Sequence, residues 1–345
     1  MKLLSRDEFR ESVFKRDGHK CVICGADGKD SHHIMERRLF TEPTELGGYF
    51  IDNGSTLCSS CHIKAEQTTL SCEDIREAIG IKNPILPNDF YNDNDFKYDK
   101  WGNIILPNGK RLKGPLFFDE SVQKILDEGG VLNDFSKYVK HPRIFHLPYS
   151  EKVTEDDRKL SNDDNFKGQE VVMTLKMDGE QTTMYNDHIH ARSLENSSHP
   201  SRNWVKGFWS KIAYEIPEGW RICGENVWAK HTISYENLDT FFYMFSIWNE
   251  QNVCLSFDET MEWANLLGFQ HVPVLYRGTY DKEKIMKAFP KEYDGNMTEG
   301  FVIRLAKEYS YKDFKNSVAK FVRKDFEIRH GHWTRDIIKS NELKK

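Results

Sequence analysis

The stretch VVMTLKMDGE, residues 171–180, decides the fold class of the second half of this chain. Its first five residues form an apolar run that predicts a buried β-strand. The run ends at Lys176, and Asp178-Gly179 then supplies residues that favour a tight turn. A lysine presented by a turn at the end of a strand is a candidate nucleophile. The four-residue pattern K-x-D-G is common, however, and is weak evidence by itself.

Further short motifs follow Lys176 in a fixed order and strengthen this interpretation. They are Ala191-Arg192-Ser193, Gly224-Glu225-Asn226, an aromatic strand at 241–248, Glu299-Gly300, and the run 318–324 that contains Lys320. The series resembles the covalent nucleotidyltransferases, which are the ATP-dependent DNA ligases, the RNA ligases and the mRNA capping enzymes. Within them it is most similar to the RNA ligase family, over about residues 141–333.

The resemblance implies an adenylation domain of antiparallel sheets and helices, unrelated to the ATP-grasp fold, so we expect an α+β protein. It also implies that the Lys176 amine attacks the α-phosphorus of ATP, giving a lysyl-adenylate and pyrophosphate. A free lysine has a pKa of about 10.4, and only its neutral form is nucleophilic. We therefore expect nearby cations and a metal ion, Mg²⁺ or Mn²⁺, to favour the neutral amine.

The resemblance assigns roles to the residues around the nucleophile. Asp178 and Gly179 shape the turn that presents Lys176. Gln181 falls where the family often has an asparagine near the nucleotide or a metal-bound water. Arg192 matches an arginine that contacts the nucleotide or the 5′-phosphate end.

Later motifs match groups that hold the nucleotide and its metal. Glu225 matches a carboxylate that binds the ribose or a metal-bound water, and Glu299 matches a metal carboxylate. Phe245 is the candidate for stacking on adenine, with Phe242 and Tyr243 as the alternatives.

The last motif departs from the family pattern. Lys320 matches the lysine that contacts the α-phosphate and neutralises its transition state. The usual K-x-K spacing puts a second lysine where this chain has Val322, so either Arg323 or Lys324 supplies the second cation, or it comes from elsewhere. The aromatic strand also has Ser246 where F-D-I is common.

Four of the seven cysteines form two C-x-x-C pairs near the N-terminus. An odd cysteine count without a secretory signal argues against a disulfide framework. Two such pairs suit a structural zinc ion bound by four thiolates. The ligands would be Cys21, Cys24, Cys58 and Cys61. The 33 residues between the pairs exceed the gap of a simple zinc ribbon, so a further element is inserted there.

The inserted segment carries His32-His33 and Asn53, and His62 follows the second pair directly. This order resembles the HNH endonucleases, whose ββα-metal fold often carries a four-cysteine zinc site. The resemblance covers about residues 1–80. It implies that His33 is the general base, that His32 and His62 bind the catalytic metal, and that Asn53 orients the base or the strand–helix turn.

The sequence does not identify one of the ligands of this second metal site. Many relatives have another histidine shortly after the position of His62, where this chain has Lys64 and Glu66. The alternative is a structural zinc module that binds nucleic acid or protein without cleaving it.

We predict an HNH-like zinc domain at 1–80, a connector at 81–140, the nucleotidyltransferase domain at 141–333 and a basic C-terminal tail at 334–345. The net charge of −5 excludes a uniformly basic nucleic-acid binder, but residues 300–345 contain 12 basic and 6 acidic side chains.

There is no signal peptide and no apolar run long enough to span a bilayer. We therefore expect a cytoplasmic protein with no membrane partner, from a bacterial or phage-infected cell.

These motifs predict an ATP-dependent RNA ligase that joins 3′-OH and 5′-phosphate ends and carries an HNH module for cleaving or docking nucleic acid. Its cofactors would be ATP, Mg²⁺ or Mn²⁺, and Zn²⁺, and its partners RNA or other polynucleotide ends. The 25 residues after Lys320 are too few for an OB barrel, which disfavours an ordinary DNA ligase layout. The alternatives are a DNA nick ligase, or an HNH nuclease of a phage or defence system whose ligase-like half is an adenylation sensor.

Overall fold

The computed structural model describes residues 2–92, 96–155, 157–194, 199–326 and 338–345. The chain divides into two compact units, Met1–Lys137 (unit 1) and Tyr138–Lys345 (unit 2). No helix in the described ranges has the length and apolar character needed to cross a bilayer.

Unit 1 begins with helix α1, Arg6–Arg16, whose start is set by a capping box. Ser5 Oγ accepts the backbone N–H of Glu8, and the Glu8 carboxylate accepts the N–H of Ser5. The remaining helices and strands of this unit are β1 (Asp30–His33), β2 (Gly54–Leu57), α2 (Ser59–Glu66), α3 (Cys72–Ala78), β3 (Lys97–Tyr98), β4 (Ile104–Ile105), β5 (Arg111–Leu112) and α4 (Glu120–Glu128). Short 3₁₀ turns lie at Arg37–Leu39, Leu46–Gly48, Ile51–Asn53 and Leu132–Asp134.

The first part of unit 1 has a β–β–α order. Strands β1 and β2 pair antiparallel, and α2 follows directly. Helix α1 covers the pair through the buried Phe9 and Val13. Gly54 permits this close approach, because a Cβ there would lie 2.4 Å from Val13 Cγ2. The helix therefore packs against the strand that leads into α2.

Residues 81–137 belong to the same compact unit. Strands β3, β4 and β5 form a three-stranded antiparallel sheet, and the β4–β5 turn contains Gly109 at φ 79°. An Asn-Gly pair such as Asn108-Gly109 is typical of a hairpin turn. Helix α4 follows, with Asp119 as its N-cap. Its apolar side packs in a small core with Trp101 and Phe117.

Unit 2 contains three helices of seven or more residues and a shorter one among its described residues: α5 (Asn203–Ile212), α6 (Phe257–Leu267), α7 (Lys282–Ala288) and α8 (Phe314–Ser317). Its longer strands are β7 (Glu170–Leu175), β8 (Glu180–Met184), β9 (Ile189–Ala191), β10 (Arg221–Asn226), β11 (Phe242–Trp248), β14 (Val274–Thr279), β17 (Gly300–Leu305) and β19 (Val318–Val322). Its two-residue strands are β6 (Phe145–His146), β12 (Val253–Cys254), β13 (Gln270–His271), β15 (Glu292–Tyr293), β16 (Asn296–Met297) and β18 (Tyr309–Ser310). Further 3₁₀ turns lie at Asp164–Phe166, Pro200–Arg202, Ala213–Glu215 and Tyr311–Asp313.

Two large sheets organise unit 2. One has the strand order β14-β7-β17-β19-β6, and the other has the order β18-β12-β11-β10-β8-β9 with β13 beside β11. Their pairs are antiparallel except β19–β6 and β11–β13, which are parallel. The expected α+β fold with antiparallel sheets is therefore present.

Side-chain alternation along the strands separates the core of the first sheet from its polar face. Met173, Phe301 and Ile303 pack into one apolar cluster. Thr174 follows Met173 on β7, and Val302 lies between Phe301 and Ile303 on β17. Both line a cavity on the opposite face of the sheet. Beyond residue 337, Asn341 is buried and donates its side-chain N–H to the carbonyl oxygen of Val227.

Candidate active site and metal centres

A cavity of about 500 Å³ in unit 2 is lined by residues of both large sheets. Seven residues that the sequence motifs single out line it: Lys176, Gly179, Gln181, Arg192, Glu225, Phe245 and Lys320. The cavity mixes charged groups with apolar walls such as Val302 and Phe314. A concave site of this size and composition is typical of a small-molecule pocket.

Lys176 follows the last residue of β7, and its N–H donates to the carbonyl oxygen of Gly300. Its Nζ lies 2.6 Å from Glu299 Oε2. Burial by itself would lower the pKa of Lys176, but the charges of Glu299 and Glu225 raise it above its ordinary value. Among the described residues, the charged side chains nearest to Nζ are carboxylates rather than cations. The metal ion that we also expect to favour the neutral amine stays a prediction.

Glu225 projects from β10 toward the turn after Lys176. Its Oε1 accepts the N–H of Gly179 at 3.2 Å. Burial raises the pKa of Glu225 to about 8, with the positive charge of Lys176 opposing the shift. Gly179 is required at this approach, since a Cβ there would lie 2.5 Å from the carbonyl oxygen of Asn226. The turn and the carboxylate are thus packed directly together.

Asp178 holds the same turn from its other side. Its Oδ2 accepts the N–H of Ile233 at 2.7 Å, and its own N–H donates to the hydroxyl oxygen of Tyr235 at 3.1 Å. Both contacts fix the backbone that presents Lys176.

Lys320 lies on β19, where its Cα partners are Val302 on β17 and His146 on β6. Its Nζ donates to Asp157 Oδ1 at 2.8 Å. Burial would raise the pKa of Asp157, but hydrogen bonds from Lys320 and Thr154 hold it below its ordinary value. The structure therefore adds Asp157 and His146 to the motif residues.

The four paired cysteines of unit 1 come together in one cluster. Their sulfur atoms all lie within 4.8 Å of one another, and all seven cysteines of the chain are free. A tetrahedral zinc site with Zn–S bonds of about 2.3 Å requires sulfur separations of about 3.8 Å. The Cys24 and Cys58 sulfurs are already 3.6 Å apart. The cluster fits a tetrahedral cation.

Backbone groups around the sulfurs favour the thiolate form. Burial would raise the pKa of Cys21, but N–H groups of Cys58 and Cys24 lower it to about 6. Burial raises the pKa of Cys61 to about 12, and the neighbouring thiols contribute. A bound cation favours the thiolate form of each cysteine that it contacts.

A second group of ligand atoms in unit 1 is formed by His32, His62 and Glu66. Glu66 Oε1 lies 3.4 Å from His32 Nδ1 and 3.1 Å from His62 Nε2. His62 and Glu66 are four residues apart in α2 and so share one helix face. Of the two residues that the sequence left open, Glu66 is the one whose carboxylate lies close to both histidines. Asp30 Oδ2 lies 3.4 Å from the other nitrogen of His62, Nδ1, where a carboxylate can orient a metal-binding imidazole.

His32 supports a ligand role for this group. It is 2% exposed, and its Nδ1 makes no hydrogen bond within the described part of the chain. Burial and then the charge of Lys100 lower the pKa of His32 to about 3, so the imidazole is neutral at pH 7. A buried neutral imidazole with an unpartnered nitrogen next to a carboxylate is a suitable divalent-metal ligand.

Lys100 is a member of this group that the sequence motifs did not reveal. Its Nζ lies 3.2 Å from Glu66 Oε1 and 3.4 Å from Glu36 Oε2. It also donates to the carbonyl oxygen of His33 at 2.9 Å. Lys100 belongs to the segment where we predicted a connector without functional residues, and no local pattern marks it.

His33 and Asn53 occupy different surroundings from His32. The His33 ring stacks on Phe9 at 4.5 Å, and burial lowers the pKa of His33 to about 4. Asn53 is buried and bonds only backbone groups: it accepts from the N–H of Met35 and donates to the carbonyl oxygens of Met35 and Gly48. Asn53 therefore ties together the loops before β2.

Residues 169–322 match the family model described as RNA ligase. This segment is similar to the RNA ligase family. The matched residues include Lys176, Glu225, Glu299 and Lys320, and they exclude His146 and Asp157. No curated protein matches the chain.

Several solved structures are similar to parts of this chain. A Naegleria gruberi RNA ligase mutant with ATP and Mn has 19% identity over 54% of this chain and 60% of its own, with a TM-score of 0.36. An archaeal ATP-dependent RNA ligase has 14% identity over 54% of this chain and 48% of its own, with a TM-score of 0.37. A putative ATP-dependent DNA ligase from Aquifex aeolicus has 21% identity, 55% and 51% coverage, and a TM-score of 0.36. In each case less than two thirds of the other chain is covered.

The remaining motif residues of the RNA ligase segment divide between the cavity and its surroundings. Gln181 Nε2 donates to Thr183 Oγ1, and Phe245 and Arg192 reach the cavity directly. Arg323 instead donates to the carbonyl oxygen of Lys291 and is not among the described residues of the lining.

Proposed function

We propose that unit 2 is an ATP-dependent polynucleotide ligase that seals 3′-OH and 5′-phosphate ends of RNA. The observation that carries this proposal is the position of Lys176, 2.6 Å from Glu299 at the wall of a 500 Å³ cavity that also holds Glu225, Lys320 and Phe245. The RNA ligase family match over the same residues supports it.

In the first step, Lys176 Nζ forms a bond to the α-phosphorus of ATP, and the bond from that phosphorus to the pyrophosphate oxygen breaks. The amine must lose a proton before it attacks. Glu299 Oε2 is already 2.6 Å from Nζ and is placed to accept that proton. Burial raises the pKa of Glu299, which makes its carboxylate a stronger proton acceptor.

Other cavity residues hold the nucleotide. Phe245 provides an aromatic face for the base. Lys320 and Arg192 place positive charge where the phosphates lie. In the later steps AMP passes from Lys176 to the 5′-phosphate of the polynucleotide, and the 3′-OH then displaces AMP.

The carboxylates of Glu225 and Glu299 fit a divalent cation such as Mg²⁺ or Mn²⁺. Both are buried oxygen donors whose pKa values are raised, chiefly by burial, and a positive charge beside them lowers those pKa values. A bound divalent cation would neutralise part of the carboxylate charge and lower the pKa of Lys176.

The decisive experiment is incubation with α-³²P-labelled ATP. The wild-type protein should retain a covalent label that is stable to denaturation, and an unlabelled wild type would overturn the ligase proposal. Sealing assays on nicked RNA, hybrid and DNA duplexes then identify the substrate. Sealing of DNA alone would favour the DNA nick ligase.

We also propose a metal-dependent nucleic-acid cleavage function for unit 1, with Zn²⁺ held by the four clustered thiols. The observation that favours it is the His32–His62–Glu66 group, in which a buried imidazole nitrogen faces a carboxylate. His33 would be the general base.

Mn²⁺-loaded protein should cut RNA or plasmid DNA, and His33→Ala should not. Binding without cutting would favour the docking module, and cutting by a protein that does not seal would favour the nuclease with an adenylation sensor.

A further inference from the structure

Lys320 is held by a carboxylate that lies outside the matched RNA ligase segment. Its Nζ donates to Asp157 Oδ1 at 2.8 Å, and both residues line the cavity. The two side chains are only 17% and 24% exposed. The pair is therefore part of the cavity wall, where water screens its interaction less than at an open surface.

The second oxygen of Asp157 is also held. Thr154 Oγ1 donates to Oδ2 at 2.8 Å, and His146 Nε2 lies 3.2 Å from the same atom. With Lys320 donating to one oxygen and Thr154 to the other, the carboxylate plane has a defined orientation, and the His146 ring lies beside it without a hydrogen bond from Nε2 among the described residues. Asp157 thus presents a fixed acceptor to the ammonium.

His146 is itself oriented by a buried hydroxyl. Its Nδ1 lies 2.8 Å from Ser150 Oγ, and that oxygen accepts the N–H of Val322 at 3.0 Å. The Nδ1–Ser150 contact and the Val322 N–H thus fix the position of the His146 ring beside Asp157.

The backbone places these groups side by side. His146 is the Cα partner of Lys320 across β6 and β19, and the N–H of Leu147 donates to the Lys320 carbonyl at 2.8 Å. On the other side, the N–H of His146 donates to the carbonyl oxygen of Arg158, and the N–H of Leu160 donates to that of His146. Segment 157–160 is therefore tied to the sheet through β6.

We propose that Asp157 is a positioning residue for Lys320. Its carboxylate, oriented by the Thr154 hydroxyl and packed beside the His146 ring, holds the Lys320 ammonium where negative charge develops on the α-phosphate during lysyl-adenylate formation. A lysine side chain has four rotatable bonds, and fixing it in advance removes an entropic cost from the transition state. This inference rests on the proposed ligase function.

An interaction that matters only in the transition state changes the rate constant rather than substrate binding. In Asp157→Asn, single-turnover adenylation of Lys176 should therefore slow at least tenfold, while the ATP concentration for half-maximal rate changes less than about twofold. Asp164→Asn is the matched control, because Asp164 is exposed and pairs with Lys167. It should leave both parameters unchanged.

A double-mutant cycle separates positioning from a merely structural role. If Asp157 acts through Lys320, the variant with both Asp157→Asn and Lys320→Met should adenylate no more slowly than Lys320→Met alone. Ser150→Ala, which loosens His146, should give a smaller loss in the same direction and provides a second measurement if Asp157→Asn does not fold. An equal further loss in the Lys320→Met background, or a weaker apparent ATP affinity with an unchanged rate constant, would overturn the inference. A wild type that takes no label would instead sink the ligase proposal itself.

Discussion

Each of the two units contains a lysine close to glutamate carboxylates, yet the two lysines have different surroundings. The Lys176 side chain is 26% exposed and lines a cavity of about 500 Å³. The Lys100 side chain is 4% exposed, and its Nζ is 3.2 Å from Glu66 and 2.9 Å from the carbonyl oxygen of His33, which it donates to. It also lies 5.3 Å from the centre of the Trp101 ring.

Both residues are lysines, so the difference between them is the free space next to the amine: Lys176 borders a cavity, and the Lys100 side chain is almost fully buried. A nucleophilic amine needs room for a phosphorus atom in line with its lone pair. Lys176 has that room, whereas the contacts of Lys100 use its donors within the protein. This difference is consistent with the nucleophile role that we propose for Lys176 and with a fixed counter-ion role for Lys100.

The largest expected effect comes from exchanging the nucleophile. Lys176→Ala should reduce covalent labelling by α-³²P-ATP at least about 10³-fold, because it removes the amine that lies beside Glu299 at the cavity wall. Lys100→Met is the matched control and should keep the label, measured by gel autoradiography of denatured protein. Labelling that follows Lys100 instead would reverse the assignment of the two lysines.

Removal of the thiolate-bound metal should affect unit 1 strongly. Cys58→Ser should release about one equivalent of zinc and lower the unfolding temperature of unit 1, because metal binding contributes folding free energy. Metal analysis and calorimetry measure the two effects. The isolated Cys254, buried in unit 2, supplies the control: Cys254→Ser should retain the zinc. Full zinc content in Cys58→Ser would contradict the four-thiolate site.

The pH dependence of adenylation tests the carboxylates around the nucleophile. Negative charge at Glu299 raises the pKa of Lys176, so the neutral amine becomes abundant only as the pH rises. Glu299→Gln removes that charge, so the rising limb of the pH–rate profile should move to lower pH by at least about one unit. The maximal rate should also fall, because the proton acceptor is lost.

The exposed Glu170 provides the control for this experiment, since it pairs with Arg277 away from the cavity lining. Glu170→Gln should leave the profile in place. A rising limb at the same pH in Glu299→Gln and wild type would show that Glu299 does not set the pKa of Lys176.

The counter-ion role of Lys100 predicts a gain rather than a loss. The ammonium beside Glu66 opposes a divalent cation on the same carboxylate. Lys100→Met should therefore bind Mn²⁺ or Co²⁺ at His32, His62 and Glu66 about tenfold more tightly, which corresponds to about 1.4 kcal/mol. Titration calorimetry measures the affinity, and Lys97→Met, on the exposed side of β3, is the control. Weaker binding would mean that Lys100 holds Glu66 in place for the metal.

The smallest expected effect concerns the base-stacking ring. Phe245→Leu should raise the ATP concentration for half-maximal labelling about fivefold, because an aromatic pair contributes about 1 kcal/mol beyond area burial. Phe242, the alternative stacking residue, is fully buried in the core between β11 and α6. Phe242→Leu should lower the unfolding temperature without a comparable change in apparent ATP affinity. The reverse pattern would move the stacking role to Phe242.

The sequence by itself determined the motif chemistry of both units. The strand before Lys176, the turn at Asp178-Gly179 and the order of Glu225, Glu299 and Lys320 were readable because strands and tight turns depend on local residue type. The capping box of α1 and the hairpin at Gly109 were readable for the same reason. The two C-x-x-C pairs likewise predicted a four-sulfur cluster, because the spacing of ligands within each pair is a local property.

Only the tertiary structure decided which charged side chains form ion pairs with each other. Lys100 reaches Glu66 across 34 residues of sequence, and Asp157 reaches Lys320 across 163. No periodicity records such pairs, because they depend on the register of distant strands and on burial. The carboxylates that raise the pKa of Lys176 come from distant segments for the same reason. Coulomb interactions act through space, and the fold placed carboxylates, not cations, beside the nucleophile.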